Sequence, residues 1–108
     1  MNIGEIYFYC FSNVVGREQN GRRPVLVIRV DEEEVVVACL STKIKSSLPV
    51  HVPIPKRDTG LSHDTVVLME QLQSLPKCAF HKQKPISTLK NPAVFTKVQR
   101  GLEVSLGF

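Results

Sequence analysis

Two short apolar runs with an acidic turn between them constrain the fold of this chain more than any other feature. Val25–Val30 and Val35–Leu40 are rich in β-branched residues, and Asp31–Glu34 separates them. A polar turn between two such runs predicts an antiparallel hairpin with a solvated tip. The acidic residues also discourage pairing of this tip with another sheet edge.

Further strand patterns precede and follow the hairpin. Ile3–Phe11, Val50–Ile54 and Thr65–Met69 have strand-like composition, and an alternating continuation of the last one ends at Pro76. Pro53 predicts that its segment lies at a sheet edge or at a point where no ladder donor is needed, because proline cannot donate to a strand ladder.

Helical signals come late in the chain. Asn91 and Pro92 predict a helix start, with Asn91 as the N-cap and Pro92 at the first helical position. The apolar stripe at helical spacing that follows consists of Val94, Val98, Leu102 and Leu106. It predicts a helix that packs on the sheet. Many short strands followed by a terminal helix favour a mainly β fold, a small and strongly bent sheet or barrel.

The size and charge of the chain limit the functions it can have. The 108 residues predict a single domain over residues 1–108. No apolar run approaches the roughly 20 residues of a membrane helix, and the start of the chain lacks a signal-peptide pattern. These features predict a cytoplasmic protein with no membrane partner. The net charge of +4 favours an anionic partner, such as nucleic acid or an acidic protein.

The cysteines and histidines show no metal-ligand spacing, so neither a metal nor another cofactor is expected. Cys10 and Cys39 lie in apolar runs and are predicted to be buried as small hydrophobic residues.

A polar loop leads directly into the first strand of the hairpin. Residues 16–24 read Gly-Arg-Glu-Gln-Asn-Gly-Arg-Arg-Pro, and Val25 follows. Pro24 biases Arg23 toward an extended conformation, so Arg23 is predicted to lie where the loop meets the strand. A guanidinium there can hold a phosphate with two parallel hydrogen bonds.

Taken in order, these blocks resemble the MazF/PemK toxins (the Kid and MazF type), which are small bacterial ribonucleases paired with an antitoxin. The resemblance covers nearly the whole chain. Its blocks are residues 4–7 (GEIY), 16–28 (GREQNGRRPVLVI), 40–42 (LST), 48–52 (LPVHV), 64–71 (DTVVLMEQ) and the closing helix.

The resemblance implies a small SH3-like β-barrel with helices on its flank, assembled as a homodimer. It also implies an endoribonuclease that cuts single-stranded messenger RNA at a short sequence without a metal. An acidic antitoxin is expected to lay its tail across the RNA groove. In such a reaction the 2′-hydroxyl attacks the neighbouring phosphorus and leaves a 2′,3′-cyclic phosphate and a 5′-hydroxyl, so DNA is spared.

Four residues form the expected catalytic group. Arg23 is expected to stabilise the phosphorane; whether it also donates the leaving-group proton stays open, because arginine holds its proton tightly. Ser41 or Thr42 matches a family hydroxyl that bonds the scissile phosphate. Glu70 matches an acidic position, where partial burial would raise its pKa and favour a role as base, with a structural ion pair as the alternative. Leu68 stands where some members carry arginine, which leaves the general acid unassigned.

A second set of residues is expected to bind RNA or to shape its site. The set consists of Glu5, Arg17, Glu18, Gln19, Arg22, Lys43 and His51. Glu5 is interpreted as a brace for the arginines, and an acid–base role stays open. Arg17 suits phosphate binding, and His51 is a secondary contact on the edge strand. For Lys43 the alternative is a solvated loop face.

Two other functions suit the same fold. One is a binding module for nucleic acid or protein that does not cut, which is favoured if Leu68 reflects a lost acid. The other is a gyrase-poisoning toxin of the related barrel type. The loop with Arg23 and Glu70 argues against that second alternative.

Overall fold

Strands dominate the part of the chain that the structure describes. The computed structural model describes residues 1–11, 21–42 and 51–107, with the backbone alone at Phe11, Glu70 and Ser105. Its strands are β1 (Glu5–Phe11), β2 (Gly21–Val30), β3 (Glu34–Ser41), β4 (His51–Ile54), β5 (Thr65–Pro76) and β6 (Ser87–Thr88). Its helices are α1 (Lys56–Thr59) and α2 (Pro92–Leu106), and Lys77–Phe80 forms a 3-10 turn.

The described strands form one antiparallel sheet in the order β4-β5-β3-β2-β1-β6. The predicted hairpin is confirmed, because Val30 pairs with Val35 and the Asp31 N–H donates to the Glu34 carbonyl at 2.9 Å. β4 lies at an edge of the sheet, as Pro53 predicted.

β2 begins earlier than predicted. Arg22, Arg23 and Pro24 lie inside this strand and pair with Cys10, Tyr9 and Phe8 of β1. The expectation that Arg23 marks the junction of loop and strand was therefore wrong. Proline is tolerated here because the ladder between β2 and β3 starts only after it.

Two irregularities bend the sheet. One lies in β2 between Val27 and Arg29. At the other, the partners of β3 change from Leu72 to Leu68 within a single step along the chain. Such bulges increase local twist and curvature. The sheet curls into an antiparallel half-barrel with a C-terminal helix, which confirms the predicted fold class.

Both faces of the sheet bury apolar side chains. On one face, α2 contributes Val94 and Val98 to a core with strand residues such as Leu26 and Met69. On the other face, the 3-10 turn covers a second core through the buried ring of Phe80. This arrangement leaves the ends of the strands as the open part of the sheet.

The start and end of α2 follow the prediction, whereas the last residue of its apolar stripe, Leu106, does not pack on the sheet. The Asn91 side chain accepts a hydrogen bond from the Ala93 N–H at 3.0 Å, which confirms the N-cap. Leu106 is 56% exposed, because the helix runs beyond the apolar cluster on that face of the sheet. No helix in the described ranges is long and apolar enough to span a membrane.

One of the two cysteines predicted to be buried is exposed. Cys39 is buried in the second core, as expected. Cys10 is exposed because it pairs with Arg22 near the outer end of β1, beyond both cores.

Gly4 provides a test of how closely α2 packs on the sheet. Its φ is +94°, and a Cβ atom there would lie 2.6 Å from Cζ of Phe95. Gly107 has a φ of +83° and nothing within 4 Å. We expect Gly4→Ala to lower the free energy of unfolding by about 3 kcal/mol and Gly107→Ala by only about 1 kcal/mol, because backbone strain is common to both and the clash is not. Equal losses in urea denaturation would contradict the close packing of Phe95.

Candidate functional site

Arg23 and Ser41 lie at neighbouring positions on one face of the sheet. Val25 of β2 pairs with Cys39 of β3. Side chains alternate along a strand, so Arg23, two residues before Val25, shares a face with Ser41, two residues after Cys39. The register therefore brings a cation and a hydroxyl together at one end of the sheet.

The floor beneath this pair is apolar. Cys39 is 5% exposed, and Leu68 pairs with it from β5 and is 1% exposed. Burial raises the pKa of the Cys39 thiol, and the positive charge of Arg23 acts in the opposite direction. The guanidinium is thus close enough to influence the thiol. In such a low-dielectric setting, charge interactions are stronger than in water.

Arg23 and Ser41 belong to a row of residues that runs across neighbouring strands, and this row continues on both sides of the pair. Tyr9 of β1 pairs with Arg23, and its ring centroid lies 5.6 Å from that of Phe80. On the other side, Ser41 pairs with Val66, which pairs in turn with Pro53 of the edge strand. An elongated ligand along this row would cross several strands.

An open pocket, here called the Thr65 pocket, begins at Ser41 where the ends of β3, β4 and β5 meet. Its volume is about 390 Å³, and its lining consists of Ser41, Thr42, Pro53, Ile54, Pro55, Asp64, Thr65 and Val66. Thr65 is 2% exposed, and its Oγ1 has no hydrogen-bond partner among the described residues. Asp64 is fixed by its Oδ1 atom, which accepts a hydrogen bond of 2.8 Å from the Lys56 N–H.

The two hydroxyl candidates at the end of β3 are not equivalent. Ser41 faces the same side as Arg23, whereas alternation turns the exposed Thr42 toward the other side. Both line the Thr65 pocket.

The neighbouring arginines are also on different faces. Arg22 pairs with Cys10, and its guanidinium lies 4.3 Å from the ring centroid of Phe8. This cation–π contact is on the side of β2 opposite to Arg23. The structure therefore does not bring the two arginines to one site.

Glu5 lies far along β1 from Arg23. Its Oε1 accepts hydrogen bonds from the Asn2 N–H at 2.7 Å and the Tyr7 hydroxyl at 2.9 Å. Burial, together with this hydrogen bond and the charge of Glu5, raises the pKa of Tyr7 to about 12. Tyr9 lies four positions after Glu5, which is about 13 Å along a strand. Glu5 braces the N-terminal turn, and the structure does not bring it to the arginines.

His51 lies in the edge strand β4 and is 8% exposed. It pairs with Leu68, so it shares the face of Cys39. Its role in RNA binding stays a prediction.

Several predicted site residues cannot be placed. Those outside the described residues are Arg17, Glu18, Gln19 and Lys43, and the side chain of Glu70 also lies outside them. The backbone of Glu70 lies in β5 at the irregularity between Leu68 and Leu72.

Sequence reasoning missed Tyr9, Asp64 and Thr65. The only signal was position, because Asp64 and Thr65 open the most apolar strand and Tyr9 lies two residues before the end of β1. Within residues 1–11, 21–42 and 51–107, no three His, Cys, Asp or Glu side chains gather closely enough to hold a metal ion.

The fold and site define a small curled-sheet domain with a site suited to an anionic ligand. Sequence comparison is more specific: residues 2–106 match the family described as PemK-like, MazF-like toxin of type II toxin-antitoxin system. The chain belongs to this toxin family, and the resemblance inferred from its motifs is confirmed.

Individual relatives agree with this assignment. The chain is 36% identical over 109 residues to Endoribonuclease EndoA of Bacillus subtilis (strain 168), covering 95% of this chain and 91% of that protein. It is 34% identical over 110 residues to Endoribonuclease MazF of Staphylococcus epidermidis, covering 96% and 89%. It also resembles a chain in the crystal structure of MazE-MazF (Form-II) from Deinococcus radiodurans, with a TM-score of 0.70, 25% identity and coverage of 100% and 96%.

The unpartnered hydroxyl of Thr65 predicts an unusual response to substitution. Thr65→Val removes a buried polar atom that makes no hydrogen bond, so we expect the free energy of unfolding to stay level or rise by about 1 kcal/mol. Thr59 is the matched control, because it is fully buried and its Oγ1 accepts a hydrogen bond from the Leu61 N–H at 3.1 Å. Thr59→Val should lower the free energy of unfolding by about 1–2 kcal/mol. Urea denaturation measures both, and equal losses would contradict the unpaired state of Thr65.

Proposed function

We propose that this chain is the toxin of a type II toxin–antitoxin system and that it cuts single-stranded messenger RNA at a short sequence in the cytoplasm. The observation that carries the proposal is that the register places Arg23 and Ser41 on one face of the sheet, next to an apolar floor. The names of the relatives, Endoribonuclease EndoA and Endoribonuclease MazF, support an RNA substrate. The net charge of +4 suits a polyanion.

In the proposed reaction the substrate supplies its own nucleophile. The ribose 2′-hydroxyl loses its proton and attacks the adjacent phosphorus, the bond to the 5′-oxygen breaks, and that oxygen takes up a proton. The products are a 2′,3′-cyclic phosphate and a 5′-hydroxyl. This chemistry needs no metal, and DNA is not cut because it lacks the 2′-hydroxyl.

Arg23 and Ser41 are proposed to bind the reacting phosphate. The guanidinium donates two hydrogen bonds to the non-bridging oxygens, which gain charge in the phosphorane. The Ser41 hydroxyl donates a third hydrogen bond from the next strand. The buried side chains of Cys39 and Leu68 exclude water from below and strengthen these interactions.

Proton transfer is proposed to involve Glu70 as the base. Its backbone position in β5 lies near Leu68, which pairs with Cys39 below the phosphate site. Leu68 carries no proton to donate. Arg23 is therefore proposed to stabilise the negative charge on the departing 5′-oxygen until that oxygen takes a proton from water.

Substitution at Arg23 tests the proposed chemistry. Incubated with long single-stranded RNA in EDTA, the chain should cut at one recurring motif and leave DNA of the same sequence intact. Arg23→Ala should lower the rate by about 10²–10³-fold, because the phosphorane loses its main charge partner. Ser41→Ala should lower the cutting rate more than Thr42→Val does, since Ser41 lies on the same face of the sheet as Arg23.

Arg29→Ala is the matched control, because Arg29 is exposed on the same strand and pairs with Asp31 at 3.0 Å. It should cut at the normal rate. If folded Arg23→Ala cuts as fast as the unaltered chain, the proposed mechanism is wrong. If the unaltered chain binds RNA without cutting it, the non-cleaving module becomes the better explanation.

An acidic antitoxin is the proposed protein partner. A solved relative is a MazE-MazF complex, and the basic charge of this chain suits an acidic tail. Such a tail would compete with RNA for Arg23, because both present carboxylate or phosphate oxygens to the same guanidinium.

A homodimer is also proposed. Val104 and Leu106 are apolar and exposed at the end of α2, where a second copy would remove them from water. Sedimentation at micromolar concentration should give twice the chain mass of 12.1 kDa. Val104→Asp should give a folded monomer, whereas Gln99→Asp, an exposed position on the same helix, should leave the dimer intact. A monomer for the unaltered chain would contradict the proposal.

A further inference from the structure

We propose that the Thr65 pocket binds one unpaired RNA base next to the cut phosphate and selects bases with an exocyclic amino group over uracil. This inference rests on the proposed ribonuclease function. It assigns sequence selection to Asp64, which lines the pocket two residues before Val66.

The pocket is continuous with the proposed phosphate site. Ser41 belongs to both, because it faces Arg23 and also lines the pocket. A nucleotide whose phosphate lies against Arg23 therefore has its own or its neighbour's base within reach of the pocket. A volume of about 390 Å³ is small for a ligand site and suits one base.

The walls suit the flat faces of a base. Pro53, Pro55, Ile54 and Val66 are apolar and line the opening from two strands. Rigid aliphatic surfaces of this kind contact either face of a ring without reading its identity.

Thr65 does not contact the base in this arrangement. It pairs with Ile54, whose side chain belongs to the core beneath α2, whereas Ser41 pairs with Val66 on the other face. Side chains alternate along a strand, so the Thr65 hydroxyl points toward α2. The choice of base therefore depends on Asp64.

Asp64 determines which bases the pocket selects. A carboxylate only accepts hydrogen bonds, and the Lys56 N–H uses one position on Oδ1, leaving Oδ2 for a ligand. Adenine, cytosine and guanine each present an exocyclic amine that donates to such an oxygen. The single N–H of uracil on its pairing edge stands between two carbonyl oxygens, which a carboxylate repels.

The test sequences the cut sites in a randomised RNA pool. For the unaltered chain, uracil should be depleted at one position beside the cut. Asp64→Asn should shift that position toward uracil by roughly tenfold, because the amide can donate to a carbonyl. Thr65→Val should leave both the rate and the preferred base unchanged, because this side chain lies on the α2 face of the sheet. Asp31→Asn, an exposed carboxylate at the far hairpin tip, is the control and should change neither.

A matched pool with 2′-O-methyl riboses cannot be cut and measures binding alone. If the unaltered chain selects against uracil in this pool and Asp64→Asn does not, the inference is supported. That result would hold even if the chain cut no RNA, although the absence of cutting would overturn the proposed function. A chain that cuts RNA but keeps the same motif with Asp64→Asn would overturn the inference and leave the function standing.

Discussion

The register between β2 and β3 is the constraint on which the site depends. With Val25 opposite Cys39, Arg23 and Ser41 share a face, and a slip of one residue would turn one of them to the other face. The same slip would turn the buried valines of the shifted strand toward the wrong core. Each fully buried valine contributes about 1.5 kcal/mol or more, so core packing holds the register that the site needs.

The curvature of the sheet has a related consequence. The irregularity in β5 lies beside Cys39, directly below the proposed phosphate site, and it also carries the backbone of Glu70. Bulges re-aim side chains near functional sites while leaving the rest of the ladder intact. Leu68 completes the floor with a buried apolar side chain. In the proposed mechanism Arg23 therefore stabilises the charge of the phosphorane without help from this position.

Local patterns predicted what depends on local chemistry. The acidic hairpin, the Asn91 cap and the edge strand with Pro53 each follow from residues close in sequence. The start of β2 at Gly21 was missed because it depends on pairing with β1, and the exposure of Leu106 depends on where the sheet beneath α2 ends.

In the candidate site, too, local patterns predicted some features and the pairing of distant strands determined others. Arg23 was proposed from its motif and its role stays a prediction, whereas the preference for Ser41 over Thr42 depends on the register of two strands. The Thr65 pocket was invisible in the sequence because it forms only where three strand ends meet. The separation of Arg22 from Arg23 follows from strand alternation, which applies only once β2 is known to begin at Gly21.

The most direct test of the account is a crystal structure of the chain with a short RNA that carries a 2′-O-methyl group at the cut position. The account predicts that one phosphate lies within hydrogen-bond distance of both the Arg23 guanidinium and the Ser41 Oγ. A phosphate bound instead on the opposite face of β2, against Arg22 and Phe8, would contradict it.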